Sequence, residues 1–310
     1  MHAIFETITP FMQESPIEWT DDTWNPVRGC TEVSPGCDHC YARTFAERWR
    51  GVAGHPYEQG FDLRLVPDKL DEPLRMPTPK RIFVNSMSDL FHKDVPKEYI
   101  GDAVEVMRLA QWHTFQVLTK RSSRMRTLTN GSLRESAAAP NIWWGVSVED
   151  RKHGLPRIKH LQEMTQAKVK WLSIEPLVED LGDLHLDGIQ GVVIGGESGA
   201  GARPMEEKWV QKILRQCQEQ AVPFFFKQWG GVQKKKNGRQ LNGRTYDEQP
   251  ESSHLPMPPR KDRLQMIAEM KKRIDYWKGR KDLGELIFRK AEEDLHTLGT
   301  DKIQTPSQTV

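Results

Sequence analysis

The sequence is poor in cysteine, with four in 310 residues. So few thiols exclude a disulfide-stapled scaffold, and a chain of this length can bury a substantial core without covalent help. No run approaches the roughly 20 apolar residues that span a bilayer, and the first 16 residues lack a basic start followed by an apolar stretch. These absences predict a cytoplasmic protein with no membrane segment, whose reduced thiols serve as ligands or core residues. No solenoid-type repeat occurs. No G-x-G-x-x-G follows an early strand, which removes the usual dinucleotide-binding fingerprint.

What is present suits a globular protein: 37% apolar and 28% charged residues. The net charge of +2 hides an asymmetry, because residues 227–310 carry 18 Lys and Arg against 12 Asp and Glu. A basic C-terminal third fits a nucleic-acid partner or a solvated helix surface.

Short β-branched or aromatic runs recur: Arg81–Ser86, Thr114–Thr119, Ile142–Ser147, Val169–Ile174, Gly191–Gly195 and Val222–Phe226. Their continuous apolarity predicts strands buried on both faces. Between them, Tyr99–Trp112 and Trp209–Cys217 carry apolar residues at steps of three and four, as amphipathic helices do. Strand alternating with helix predicts an α/β fold, a full or partial β/α barrel of parallel strands with a C-terminal helical extension. A doubly wound open sheet is the alternative. The expected organisation is an N-terminal arm (1–16), a barrel (17–247) with a loop of interest at 24–43, a linker and basic amphipathic helix (248–298), and a disordered tail (299–310). Gly51–Pro79 reads as a long loop over the barrel mouth. Lys234–Pro259 reads as a turn or hairpin followed by linker, and Asp262–Leu298 reads as mostly amphipathic helix with Leu264, Ile267, Ile274 and Trp277 on one side.

Polar residues follow each strand: Ser86, Ser88 and Asp89; Lys120 and Arg121; Ser147 and Glu149; Glu175; Glu197; Lys227. On parallel strands these share one rim, the face on which β/α barrels build their sites. Helix capping explains some of them, particularly Ser88 and Asp89.

Trp24–Ala42 reads WNPVRGCTEVSPGCDHCYA, with a C-x6-C-x2-C spacing of Cys30, Cys37 and Cys40. Three clustered thiolates can ligate three irons of a [4Fe–4S] cluster and leave the fourth iron open to a small molecule. Zinc, with His39 or His55 as a fourth ligand, is the alternative, since sulfur suits both. No second C-x2-C exists to complete a paired zinc knuckle. Cys217 lies at helical spacing from Val210, Ile213 and Leu214, which marks a core residue. Trp143, Trp144 and Trp171 lie in strands and should be buried, whereas Trp229, at a strand end, is placed to stack on a base or on adenine.

With these residues in view, the chain resembles the spore photoproduct lyase-like radical SAM proteins and, in its wider pattern, the phage Gp37/Gp68 family. Asn25-Pro26, Arg28-Gly29-Cys30 and Cys37-Asp38-His39-Cys40-Tyr41-Ala42-Arg43 carry the likeness of the cysteine loop. IEWTDDTWNPVRGC, FVNSMSDLFH, GVSVED, SIEPL, IGGESG with Ala202-Arg203-Pro204, and FKQWGG extend it from Ile17 to Asp247. Two features depart from the radical SAM pattern. Six residues rather than three separate the first two cysteines, and His39 stands where an aromatic residue usually precedes the third.

The resemblance implies a [4Fe–4S] cluster and S-adenosylmethionine (SAM) as cofactors, with an external electron donor. The reduced cluster would cleave SAM to a 5′-deoxyadenosyl radical. It further implies that Ser86, Ser88 and Asp89 face the SAM amine, and that Lys120 or Arg121 pairs its carboxylate. Ser147, Glu149 and Glu175 would contact ribose or substrate, with Glu197 and Lys227 on the substrate side. The competing reading is a zinc- or cluster-stabilised nucleic-acid or protein binding module without radical chemistry. A SAM methyltransferase lacks support, because no early glycine-rich loop with an acidic ribose ligand occurs.

Overall fold

A computed structural model describes residues 17–280. In chain order the elements are β1 (Asp22–Trp24), β2 (Val27–Arg28), α1 (Tyr41–Glu47), β3 (Arg64–Leu65), α2 (Glu72–Arg75), β4 (Arg81–Val84), α3 (Lys97–Leu109), β5 (Thr114–Thr119), α4 (Ser122–Asn130), α5 (Arg134–Ala137), β6 (Ile142–Ser147), α6 (Arg151–Gln162), β7 (Val169–Ile174), β8 (Gly191–Gly195), α7 (Glu207–Glu219), β9 (Phe224–Gln228), α8 (Lys234–Asn237) and α9 (Arg260–Gly279). Seven parallel strands in the order β1-β4-β5-β6-β7-β8-β9 curl into a half-barrel, while β2 and β3 pair as a small antiparallel ribbon. Spatial order follows chain order, as successive one-handed crossovers produce. The fold is the expected partial α/β barrel.

Four strands have their expected limits. β4 stops two residues early because Asn85 turns into the left-handed region at φ 63°. β9 starts late because Pro223 offers the ladder only its carbonyl, which accepts from Val192 N at 2.9 Å.

Each central strand sends alternate side chains to opposite faces. Phe115, Val117, Trp144, Val146, Leu172, Ile174, Val192 and Ile194 pack outward against the helices in the main core. Phe83, Trp143, Trp171, Val193 and Phe225 point inward and, with Trp19, fill the concave side. Trp143, Trp144, Trp171 and Cys217 are buried as anticipated.

Two expectations change, and the turn or hairpin expected after Lys234 is present. Gly51–Pro79 is not one loop: it contains β3 and α2, and it buries Phe61, Leu70 and Leu74. Lys234–Asn237 is a helical turn, followed by a tight bridge between Leu241 and Arg244. α9 docks through Met270, Ile274 and Trp277, whose indole donates to Asp102 at 2.6 Å, while Leu264, nearer the start of the helix, stays 49% exposed. The expected N-terminal arm (1–16), the remainder of the expected basic helix (281–298) and the expected tail (299–310) lie outside the described residues. Among the described residues no helix is long and apolar enough to cross a membrane.

Candidate functional site

The site is built where the chain leaving β1 is stitched to the chain leaving β4. Asn25 accepts from Met87 N at 2.9 Å and exchanges hydrogen bonds with the Ser86 hydroxyl at 3.1 and 3.2 Å. Ser88 donates to Val27 O at 2.7 Å, and Gly29 N donates to Met87 O at 3.1 Å. These bonds deliver Cys30 to the C-terminal rim of the sheet, where its N–H meets Phe61 O at 3.2 Å.

From Cys30 the chain arches across the rim. A 3₁₀ turn over Pro35–Cys37 is closed by Cys37 N donating to Ser34 O at 2.8 Å, and Cys40 N donates to Cys37 O at 3.2 Å. Cys40 then caps α1. Two arginines hold the arch from either side. Arg43 donates to Asp38 O at 2.9 Å and pairs with Glu32, and Arg203 donates to Pro35 O at 2.8 Å. A Cβ on Gly36 would lie 2.4 Å from the Glu149 side chain, so only glycine lets the arch rest on the mouth there.

Inside the mouth the charged residues are paired. Lys120 Nζ lies 2.6 Å from Glu149, which also accepts from Arg157 at 2.5 Å. Lys227 lies 3.1 Å from Glu175, which accepts from Ser173 at 3.1 Å. Glu197 accepts three bonds from Arg203 at 2.6, 2.9 and 3.0 Å. Burial pushes the Glu149 carboxyl up, but the Lys120 and Arg157 charges outweigh it and hold the group below the ordinary carboxylate range. Arg203 does the same for Glu197. Ser147 is buried beside these pairs.

The predicted rim residues therefore divide. Lys120, Ser147, Glu149, Glu175 and Lys227 project toward the mouth. Ser86, Ser88 and Asp89 are engaged in holding the rim together. Asp89 caps no helix, since α3 begins only at Lys97; it accepts from Phe91 N, Thr119, Lys120 N and Arg121 at 2.7–3.2 Å. Trp229 donates to Gln240 O at 2.8 Å and packs edge-on to Phe226, so its ring belongs to the fold.

All three loop thiols are free and partly exposed, and Cys30 and Cys40 pack on the same small cluster of Ala42, Ala46 and Phe61. Burial and Asp89 push the metal-free Cys30 thiol up to about 11 against the opposing pull of Arg121. Among the described residues no three His, Cys, Asp or Glu side chains converge on one metal ion. A single zinc with Zn–S bonds of about 2.3 Å needs that convergence. A [4Fe–4S] cube takes each thiolate on a separate iron and likewise needs the three sulfurs drawn together, so the three free thiols of the arch supply donor chemistry that suits either group.

Arg157 escaped sequence reading, although an arginine on the apolar face of α6, between Gly154, Ile158 and Leu161, was a usable signal. Arg203 and Asn25 were noticed only as parts of motifs. His92, whose ring nitrogen lies 2.8 Å from the Thr31 hydroxyl, likewise enters only as the last residue of FVNSMSDLFH.

The fold and the site define a class: a parallel α/β half-barrel with a three-cysteine arch over its C-terminal mouth. Residues 14–250 match a family described as a protein of unknown function (DUF5131), and the chain belongs to that family. No curated protein matches it. Among solved structures it is similar to a cysteine-to-serine mutant of spore photoproduct lyase at 13% identity, covering 67% of this chain and 64% of that one, with a TM-score of 0.39. Spore photoproduct lyase complexed with dinucleoside spore photoproduct matches at 11% identity over 69% and 65% of the two chains, TM-score 0.39. A double mutant of that lyase with bound AdoMet and dinucleoside spore photoproduct matches at 11% over 68% and 64%, TM-score 0.39. The chain thus spans less than two thirds of the length of these structures.

Proposed function

We propose that this protein is an iron–sulfur enzyme of radical SAM type, related to the phage Gp37/Gp68 family, that reductively cleaves SAM to act on a nucleic acid or nucleotide. The observation that carries this reading is the cysteine arch resting on Glu149 at the C-terminal mouth of a parallel half-barrel, the rim on which such folds assemble active sites. Cys30, Cys37 and Cys40 would hold the cluster. Bound there with SAM, the cluster supplies one-electron chemistry, with the electron drawn from an external donor.

The chain's own part is binding and exclusion of water. Two Lys–Glu pairs line the mouth, Lys120 with Glu149 and Lys227 with Glu175. Each offers a cation for a carboxylate and an acceptor for an ammonium, the two ends of the methionine part of SAM. Ser147 adds a hydroxyl beside them. Glu197, clamped by Arg203, is fixed next to the arch and stays ionised near neutral pH, as its depressed pKa requires. Ser86, Ser88 and Asp89 would act by holding the rim on which the cofactor sits. The substrate class rests on the basic C-terminal region, where Lys261, Lys271 and Lys272 are exposed along α9.

Anaerobic reconstitution with iron, sulfide, SAM and dithionite tests this. About four irons with sulfide per chain and release of 5′-deoxyadenosine are expected. Cys30→Ala, Cys37→Ala and Cys40→Ala should lose the iron, and Cys217→Ala should keep it. One zinc per chain, or no 5′-deoxyadenosine with or without DNA and RNA, would sink the proposal.

A further inference from the structure

The guanidinium of Arg121 spans from the end of β5 to the cysteine arch. Its Nη1 lies 3.3 Å from Cys30 Sγ and 3.0 Å from Asp89, and its Nη2 donates to Thr31 O at 2.9 Å and to the Thr31 hydroxyl at 3.0 Å. The side chain is only 11% exposed. Both of its supports are themselves fixed. Asp89 is buried and accepts three further bonds, from Thr119, Lys120 N and Phe91 N. Thr31 is held from the other side by His92. Burial, with Arg121 nearby, pushes the His92 imidazole down to about 4, so it is neutral at pH 7. Its Nδ1 accepts from Asp94 N at 3.2 Å, which leaves Nε2–H to donate to the Thr31 hydroxyl.

Arg121 therefore has no freedom to reach a ligand's carboxylate without giving up these bonds. Neither Cys37 nor Cys40 receives a side-chain donor on sulfur among the described residues, so the three thiols are not equivalent. We propose that Arg121 is a positioning residue that holds Cys30 Sγ and makes a bound cluster easier to reduce. This rests on the iron–sulfur reading of the arch. A cationic N–H on a ligand sulfur stabilises the more negative, reduced cluster, and hydrogen bonds to sulfur are a main means of setting such potentials. The planar fork matters as much as the charge, because a lysine cannot contact sulfur, Asp89 and Thr31 together.

The test compares wild type with Arg121→Gln and Arg121→Lys. In metal-free protein, hydrogen exchange over residues 29–33 should quicken at least threefold in Arg121→Gln. After reconstitution, the ratio of reduced to oxidised cluster at one fixed potential should fall at least tenfold, a 59 mV shift for one electron, with Arg121→Lys in between. Should Arg121→Gln keep its circular dichroism but fail to retain iron, the positioning role is upheld in its stronger form. Wild-type exchange with an unchanged ratio overturns the proposal, as does faster exchange with an unchanged ratio, which would make Arg121 a loop clamp only. If wild type itself takes up no iron, the cluster reading falls, and the exchange arm alone decides whether Arg121 holds Cys30.

Discussion

The floor and the mouth of the half-barrel are made by the same strands, two residues apart. Along β6 the inward positions run Trp143, Gly145, Ser147 and then Glu149; along β7 they run Trp171, Ser173 and then Glu175; β9 gives Phe225 and then Lys227. The floor is closed by aromatic packing, with Trp19 and Trp171 ring centres 5.2 Å apart. The mouth is lined by charges, each matched to a partner. Burying aromatic surface stabilises the fold outright, by about 25 cal/mol per Å². Burying charge does so only when partners offset the desolvation. One strand period therefore yields a rigid base and a site whose charges depend on one another.

The comparison can be broken most severely at the floor. Trp171→Ala should cost about 3–5 kcal/mol in urea unfolding, while any folded fraction still takes up metal on the arch. Gly145→Ala attacks the same ring from the opposite side, since its Cβ would fall 2.4 Å from Trp171; a loss of about 1–3 kcal/mol is expected from overpacking. At the mouth, Glu149→Gln leaves Lys120 and Arg157 facing a neutral amide, and a loss of about 3 kcal/mol should appear in urea unfolding.

Acid tests a third kind of buried group. His113 accepts from Lys80 N at 3.1 Å through Nδ1 and lies 3.0 Å from Pro73 O through Nε2, so it is neutral in the fold; burial pushes it down to about 4. The unfolded chain takes up this proton first, near pH 6.5, so stability is complete above 6.5 and falls as pH drops toward 4. His113→Gln should lower the slope of stability against pH by about one proton in that window. The smallest stability effect belongs to Lys227→Met. Its pair with Glu175 is partly exposed, so unfolding should shift by less than about 1 kcal/mol, while SAM binding to the reconstituted protein weakens about tenfold by equilibrium dialysis. An unchanged affinity would remove Lys227 from the proposed site.

Much of this was legible in the chain. Val169–Ile174 and Gly191–Gly195 announced themselves as strands because residues buried on both faces leave no polar alternation. The rim followed from them, since parallel strands must end on one side. The three cysteines were legible because thiols so close in a polar segment have no place in a core. What stayed hidden depends on contacts across long stretches of chain. Helical spacing puts Leu264 on one side with Ile274 and Trp277 without saying how far along the helix a neighbour covers that side. Asp89 invites a cap reading beside the cofactor one because its distance to the next helix is invisible until the chain folds.

Sequence alone determined the alternation of strand and helix, the cluster of thiols and the set of charged residues at the strand ends, because each is a matter of local order and period. Only the tertiary structure decided that Glu149 would meet Lys120 and Arg157, that Gly36 would rest on Glu149, and that Arg121 would turn to the Cys30 sulfur. Partnerships among buried charges are settled by which strands lie side by side. No short window of residues contains that information.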